Sequence, residues 1–444
     1  MILQASLLLL ITFLFLLAFS VPISFSIMIT AFITIAAVFT PALGFQSSLQ
    51  FGVFTCAQKI VSGIDSFTLL AVPFFILAGL LMSNGGVAKR LVNLSMLVLG
   101  RVPGALALTN IAGNAMFGSV SGSGIAAATA IGGVMLPLEK EEGYNGGFSA
   151  AVNVATAPVG QLIPPTVAFI VFAAASGGTS VAALFMAGWI PGLLWAFLCM
   201  VTAFFIARKN GYVSKTKQNL TPKIVFKTIW DAVPSLFLIV IIIGGILGGV
   251  FTPTEASVIA VVYTLILSVF IYKSISLKQL PEIMKDAAIM TTIVMLIIGA
   301  SSALSFVLSY TKIPQSISNL LLGVSNNKIV ILLIINLILL IVGTFMDMAP
   351  ALLIFTPIFM PVIRSLGMSE IQYGVMMVMN LSIGTITPPV GSVLFVGCSI
   401  SKLKVEEVVK HLVPFFITIF VALMLITYVP AFSEWLPRAV GLIQ

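Results

Sequence analysis

The stretch FGSVSGSG at residues 117–124 sets three hydroxyls, Ser119, Ser121 and Ser123, between Gly118, Gly122 and Gly124. Oxygen-only ligation suits a hard cation such as sodium, and glycine lets the backbone turn and approach a ligand closely. The same residues would also serve as small contacts between packed helices. A second stretch, GTFMDMAP at 343–350, offers Thr344 and Asp347. Asp347 is a carboxylate inside an otherwise uncharged apolar run, where an ionisable group is costly and marks a functional site by default. It can ligate sodium, take up a proton, or cap a half-helix beginning near Ala349, with Pro350 suited to the first turn.

Two more stretches carry chemistry by breaking a helix: VGQLIPPT (159–166) and IGTITPPV (383–390). Each sets a glycine, three residues and a double proline, at Gly160 with Pro164 and Pro165 and at Gly384 with Pro388 and Pro389. Neither ring nitrogen donates, so carbonyls around Thr156–Gly160 and around Gly384–Thr387 leave the helix ladder. In lipid such backbone must face protein, ions or water. Plain kinks are the alternative, but a duplicated break beside a glycine-rich turn points to binding. The first sodium site therefore draws on Ser119, Ser121, Gly122 and Ser123 with Thr156 and Gly160. The second draws on Thr344 and Asp347 with Gly384, Thr385 and Thr387. Ser123, Asn153, Gln161 and Asn380 are the polar residues placed to touch a substrate.

The elements that position these residues are membrane helices. Apolar residues make up 60% of the 444-residue chain and charged ones only 8%, far below the roughly one quarter of a water-soluble domain. The first forty residues are uncharged, which fits a cleaved signal peptide poorly. Spans of about 20 apolar residues are expected near 5–21, 23–42, 66–83, 183–207, 232–250, 255–272, 288–310 and 412–431, with broken helices at 145–177 and 370–400. The stretches 103–138 and 329–363 are too long for one crossing, and each arm would be short for a full span, so each is expected to be a re-entrant helical hairpin. The mixed segments 50–65 and 273–287 read as amphipathic surface helices. TPTEAS at 252–257 reads as a helix start with Glu255 in its first turn. Lysine and arginine concentrate in the connector 208–227, including Lys215 and Lys217, which places it in the cytoplasm and both termini outside.

Displacing the chain by 224 residues brings Pro137, Gly143, Gly160, Pro164 and Pro165 onto Pro361, Gly367, Gly384, Pro388 and Pro389, and Ser123 onto Asp347. Four crossings and one hairpin separate the broken helices, so the halves run in opposite directions. The fold class is an all-α polytopic membrane protein of two inverted repeats, each with a re-entrant hairpin and a broken transmembrane helix. The first repeat spans 1–220, with scaffold helices at about 1–65 and 180–220 and transport elements at about 66–178. The second spans 221–444, with scaffold helices at about 221–287 and 405–444 and transport elements at about 288–402. Secondary transporters share this plan, with sites at discontinuous helices near the midplane.

Other function classes fare worse. There is no phosphate-binding loop, no His-Asp-Ser set and no cysteine–histidine spacing for a metal: Cys56, Cys199, Cys398 and His411 are scattered. The chain is read as no enzyme. The net charge of +8 sits at segment ends, so no nucleic-acid partner is expected. A channel is the second reading. TPTEAS, FGSVSGSGIAAATAIGG, LIPPT and GTITPPVG together resemble the large membrane subunit of tripartite ATP-independent periplasmic (TRAP) transporters, over essentially the whole chain. The resemblance implies an elevator-type carrier related to the ion-transporter superfamily, in the bacterial inner membrane. It implies sodium as the only cofactor and an organic acid substrate, with the sialic acid branch preferred to C4-dicarboxylates on overall likeness. It also implies a small four-helix membrane subunit, expected here as a separate chain, a periplasmic substrate-binding protein, and membrane lipid around the spans. A binding-protein-independent dicarboxylate or ion carrier of the same superfamily is the alternative.

Overall fold

The computed structural model describes residues 2–212, 221–325 and 327–443; the lysines at 215 and 217 lie outside them. Its described elements are helices joined by turns. Nine of these helices are long and apolar enough to cross a membrane, as the low charge content demands. Large apolar side chains such as Phe19, Phe54, Phe197 and Phe270 stand exposed on the perimeter, which in water would be an aggregation hazard and in lipid is the solvated state. The protein is an all-α polytopic membrane protein.

The repeat is present in the element boundaries. The first hairpin has arms Ala105–Ser121 and Gly124–Glu141, and the second has arms Lys328–Phe345 and Met348–Ser365. Each broken helix enters as Gly146–Thr156 or Glu370–Gly384 and resumes as Val167–Ala175 or Ser392–Ser401. The spans Val181–Lys209 and Val405–Tyr428 follow. Starting residues 124, 146 and 181 correspond to 348, 370 and 405, a constant displacement of 224. Both Pro164–Pro165 and Pro388–Pro389 are cis. Between the broken helices lie six candidate spans: Val181–Lys209, Pro222–Leu247, Pro253–Ile271 and Leu280–Thr311, then the two hairpin arms Lys328–Phe345 and Met348–Ser365; the number is even whether or not the arms cross, so the second half re-enters from the opposite face. A helix starts at TPTEAS with Glu255 in its first turn, as expected, and the start is a capping box, Thr252 and Glu255 bonding each other's backbone N–H.

The arms of 17 and 18 residues reach about 27 Å, so length alone does not make them re-entrant. Contact does. Each hairpin tip rests on the break of its neighbouring helix, and that break lies between half-helices too short to cross alone.

Residues 50–65 belong to Phe45–Ile64, which is not among the helices apolar enough to cross; it packs along a neighbour, where Gly63 lies on Ser302 and Gly299 lies on Ile60. Residues 273–287 lead into one continuous 32-residue helix, Leu280–Thr311. The strongly two-faced helices are Val87–Leu99 and Ile313–Val324, each running into a hairpin. The first buries Val87, Ala88, Leu91, Val92 and Ser95 and exposes Lys89 and Asn93. Their polar and apolar faces follow the helical period. The inverted count predicts that cysteines replacing Lys404 and Ser325 react with impermeant thiol reagents from opposite sides of the membrane. Labelling from the same side would contradict it.

Candidate functional site

The tips meet the breaks through glycine. A Cβ built on Gly160 would lie 2.1 Å from the Gly118 Cα, and one built on Gly118 would lie 2.6 Å from the Gly160 Cα. In the second half a Cβ on Gly384 would fall 2.4 Å from the Gly343 carbonyl carbon. No larger residue fits either pair, so glycine here permits backbone-to-backbone approach at the level of the break. Gly122 turns the first tip in a left-handed conformation, with φ +65°, and faces the Pro165 carbonyl.

Around these contacts most hydroxyl hydrogens are already spent. Ser119 donates to Met116 O, Thr156 to Val152 O, Thr344 to Ile341 O, Thr385 to Ser382 O and Thr387 to Ile383 O, all at 2.7–2.8 Å. A hydroxyl whose hydrogen is tied back to its own helix presents lone pairs elsewhere. Ser123 Oγ accepts from Ala126 N as the N-cap of the second arm, and Ser121 Oγ accepts weakly from Ser123 N at 3.4 Å. The donor set is oxygen only and acceptor-rich, which fits a hard cation and not an anion. Ser119, Ser121, Gly122 and Ser123 surround one tip–break contact, and Thr344 and Thr387 line one cavity of about 640 Å³ at the other. Asp347 is exposed, and although it occupies the N-cap position its side chain makes no capping bond. Capping therefore does not explain it.

The residues proposed for substrate contact divide. Gln161 Oε1 accepts from Ser382 Oγ at 2.9 Å, joining the two breaks directly, and its Nε2 lies near Gly124 of the first tip. Ser123 also stands at that tip. Asn153 and Asn380 are fully buried, and Asn380 Oδ1 makes no hydrogen bond within the protein. Asn153 Nδ2 donates to Ala128 O, and Asn114 Nδ2 reaches Asn153 Oδ1 and Thr156 Oγ1, both at 3.0 Å. Asn380 Nδ2 donates to Asn336 O and Oδ1 at 3.0 and 2.7 Å. In each half an asparagine on the first hairpin arm is thus strapped to the unbroken half-helix. Trp195 Nε1 donates to Ala155 O, which satisfies a carbonyl just before the first break. Sequence reading missed Asn110, Asn114, Asn336, Ser382 and Gly343. The pairing of a polar residue in each arm with one in the following helix was the available signal.

The match to the family described as "Tripartite ATP-independent periplasmic transporter, DctM component" covers residues 10–432. The chain belongs to the TRAP transporter large-permease family. It is 52% identical to the uncharacterized protein YgiK of Salmonella typhimurium, over 86% of this chain and 87% of the relative. It is 35% identical to the sialic acid TRAP transporter large permease protein SiaM of Vibrio cholerae, covering 87% and 90% of the two chains. It is 36% identical to the C4-dicarboxylate TRAP transporter large permease protein DctM of Rhodobacter capsulatus, covering 88% and 92%. In fold it resembles the crystal structure of the Alcanivorax borkumensis YdaH transporter, with a TM-score of 0.60 at 12% identity, over 85% and 88% of the chains. As a TRAP large permease the chain is a multi-pass transporter component and not an enzyme.

Two predictions test the site. Gly160→Val should lower stability by about 1–3 kcal/mol through overpacking and abolish transport, while Gly133→Val, where nothing lies within 4 Å, should change neither. Thermal unfolding and uptake of the two variants decide this. Ser123→Ala and Asp347→Asn should each raise the sodium concentration for half-maximal transport, the half-buried Ser123 by up to about 5-fold for a polar ligand worth ~1 kcal/mol. Because Asp347 makes no cap, its variant should keep wild-type stability.

Proposed function

We propose that this TRAP large permease is a sodium-driven carrier importing an organic acid across the bacterial inner membrane by an elevator motion. The observation that carries the reading is the duplicated tip–break pair, joined across the halves by Gln161 and Ser382. Two oxygen-lined sites of opposite direction around a shared centre suit ions that bind from either side while a substrate sits between them. The first ion takes oxygens from Ser119, Ser121, Gly122 and Ser123 and from the backbone at Thr156–Gly160. The second takes Thr344, Asp347 and the backbone at Gly384–Thr387. Sodium supplies charge that neutralises an anionic substrate and ties tip to break; the chain's residues orient it and exclude lipid. Gln161 and Ser123 offer the polar contacts to the acid.

The moving body is composed of transport elements at about 66–178 and 288–402, held by scaffold helices at about 1–65, 180–220, 221–287 and 405–444. Sialic acid and C4-dicarboxylates are both candidate substrates, since identity to the two named relatives is nearly equal. The connector 208–227 faces the cytoplasm and the termini the periplasm. A small membrane subunit and a periplasmic binding protein are its working partners, because the described residues form no water-soluble domain to capture scarce substrate. Proteoliposome uptake tests this. Saturable uptake of an organic acid is expected only with both partners and an inward sodium gradient. Robust uptake by this chain alone would favour a binding-protein-independent carrier, and flux that does not saturate would favour a channel.

A further inference from the structure

Glu139 ends the second arm of the first hairpin, just beyond the apolar stretch 103–138, and is fully buried. Among the described residues ion pairs form at Arg364–Glu370 and Arg438–Glu434, and none reaches Glu139. Its Oε1 accepts from Asn110 Nδ2 at 3.1 Å. Its Oε2, Tyr144 Oη and Ser149 Oγ make no hydrogen bond of full geometry; Ser149 stands close enough to Glu139, and Tyr144 to the Leu106 backbone, for a weak one. Poorly satisfied buried polar atoms are rare enough that each calls for a cause. Here three come from neighbouring residues at one hairpin base.

Two of the three open onto space. Tyr144 and Ser149, themselves 5% and 3% exposed, line a cavity of about 570 Å³ together with Lys140, Ser401 and Lys402. An ionised carboxylate without a cation partner is strongly disfavoured in such surroundings. A neutral one turns Oε2 into a donor with hydroxyl oxygens beside it. We propose that Glu139 is a proton-binding site of the first hairpin, loaded and emptied through the cavity that Tyr144, Ser149, Lys140 and Lys402 line.

The proton passes from water in the cavity to Oε2 and returns by the same route, so no other bond changes. Lys140 and Lys402 line the same cavity, and through it their positive charge would act in favour of the charged form. Of the elements packed around Glu139, the first arm and the half-helix Gly146–Thr156 present Asn110 and Ser149 and carry no ionisable residue. Glu141 and Glu142 follow it in the chain, Tyr212 stacks on Tyr144 with centroids 4.4 Å apart, Arg90 is turned to the Tyr272 ring, Lys89 is exposed, and His411 Nδ1 meets Glu407 O. Ionisation obliges the hairpin base to admit water or turn both hydroxyls inward. The strain then meets the chain Asn110–Asn114–Thr156, whose links are 3.0 Å. Protonation therefore keeps the hairpin base packed, and deprotonation loosens it.

The inference rests on the hairpin base alone and does not require the transport reading. It is tested by infrared pH titration of the purified full chain in nanodiscs. Wild type minus Glu139→Gln should show a protonated-carboxyl band that disappears as pH rises. The double variant Lys140→Gln, Lys402→Gln changes only cavity-facing lysines and should move the midpoint upward by roughly half a pH unit, because two nearby positive charges are removed. If Glu139→Gln does not fold, the titrating band and its shift in the double variant are read against wild type instead. Absence of any titrating band, or a midpoint that the double variant leaves in place, overturns the proposal.

Discussion

Irregular backbone inside an apolar solvent must find its partners within the protein, and everything distinctive in this chain follows from that constraint. The double prolines at 164–165 and 388–389 interrupt two helices where no water is available. Each break is covered by the tip of a hairpin, and the cover fits because glycine meets glycine, Gly118 on Gly160 and Gly343 on Gly384. A side chain at either place would lift the tip and leave carbonyls facing hydrocarbon. The hairpins are therefore not decorations on a helical bundle. They are the second half of each break.

The asparagine straps and the hydroxyl back-bonds follow from the same need. Asn114 to Asn153 and Thr156, and Asn336 to Asn380, fix each hairpin arm to the half-helix leading into its break. Threonines and serines at the contact return their hydrogens to preceding carbonyls and leave lone pairs at the junction. What results, twice over, is a contact of glycine backbone with hydroxyl oxygens beside it, the second bordering a cavity whose lining is otherwise mostly apolar. The bond between Gln161 and Ser382 makes the two junctions neighbours across the halves.

Much of this was legible in the sequence, and the gaps are instructive. The breaks announced themselves because proline and glycine act locally, and the displacement of 224 residues located the second from the first. The hairpin arms were expected on length, yet their length proves compatible with crossing; the decisive fact is tip contact, which no local pattern encodes. Asn153 and Asn380 were read as ligand contacts because a polar residue in a membrane helix invites that reading. Their bonds to Asn114 and Asn336 some forty residues away were not read, because pairing at that range is invisible to periodicity. Val87–Leu99 and Ile313–Val324, which lead into the hairpins and carry a two-faced pattern, were passed over beside the mixed segments 50–65 and 273–287. Glu139 was hidden among Lys140, Glu141 and Glu142, a run that reads as a solvated end.

Whether each tip–break junction holds one cation, as proposed, is measured directly by equilibrium binding of radioactive sodium to the purified chain, with Gly160→Val and Gly384→Val each opening one junction. Two saturable sites are predicted in the wild type and one in either variant. Wild-type binding that never saturates, or variants that keep the full wild-type stoichiometry, would contradict it.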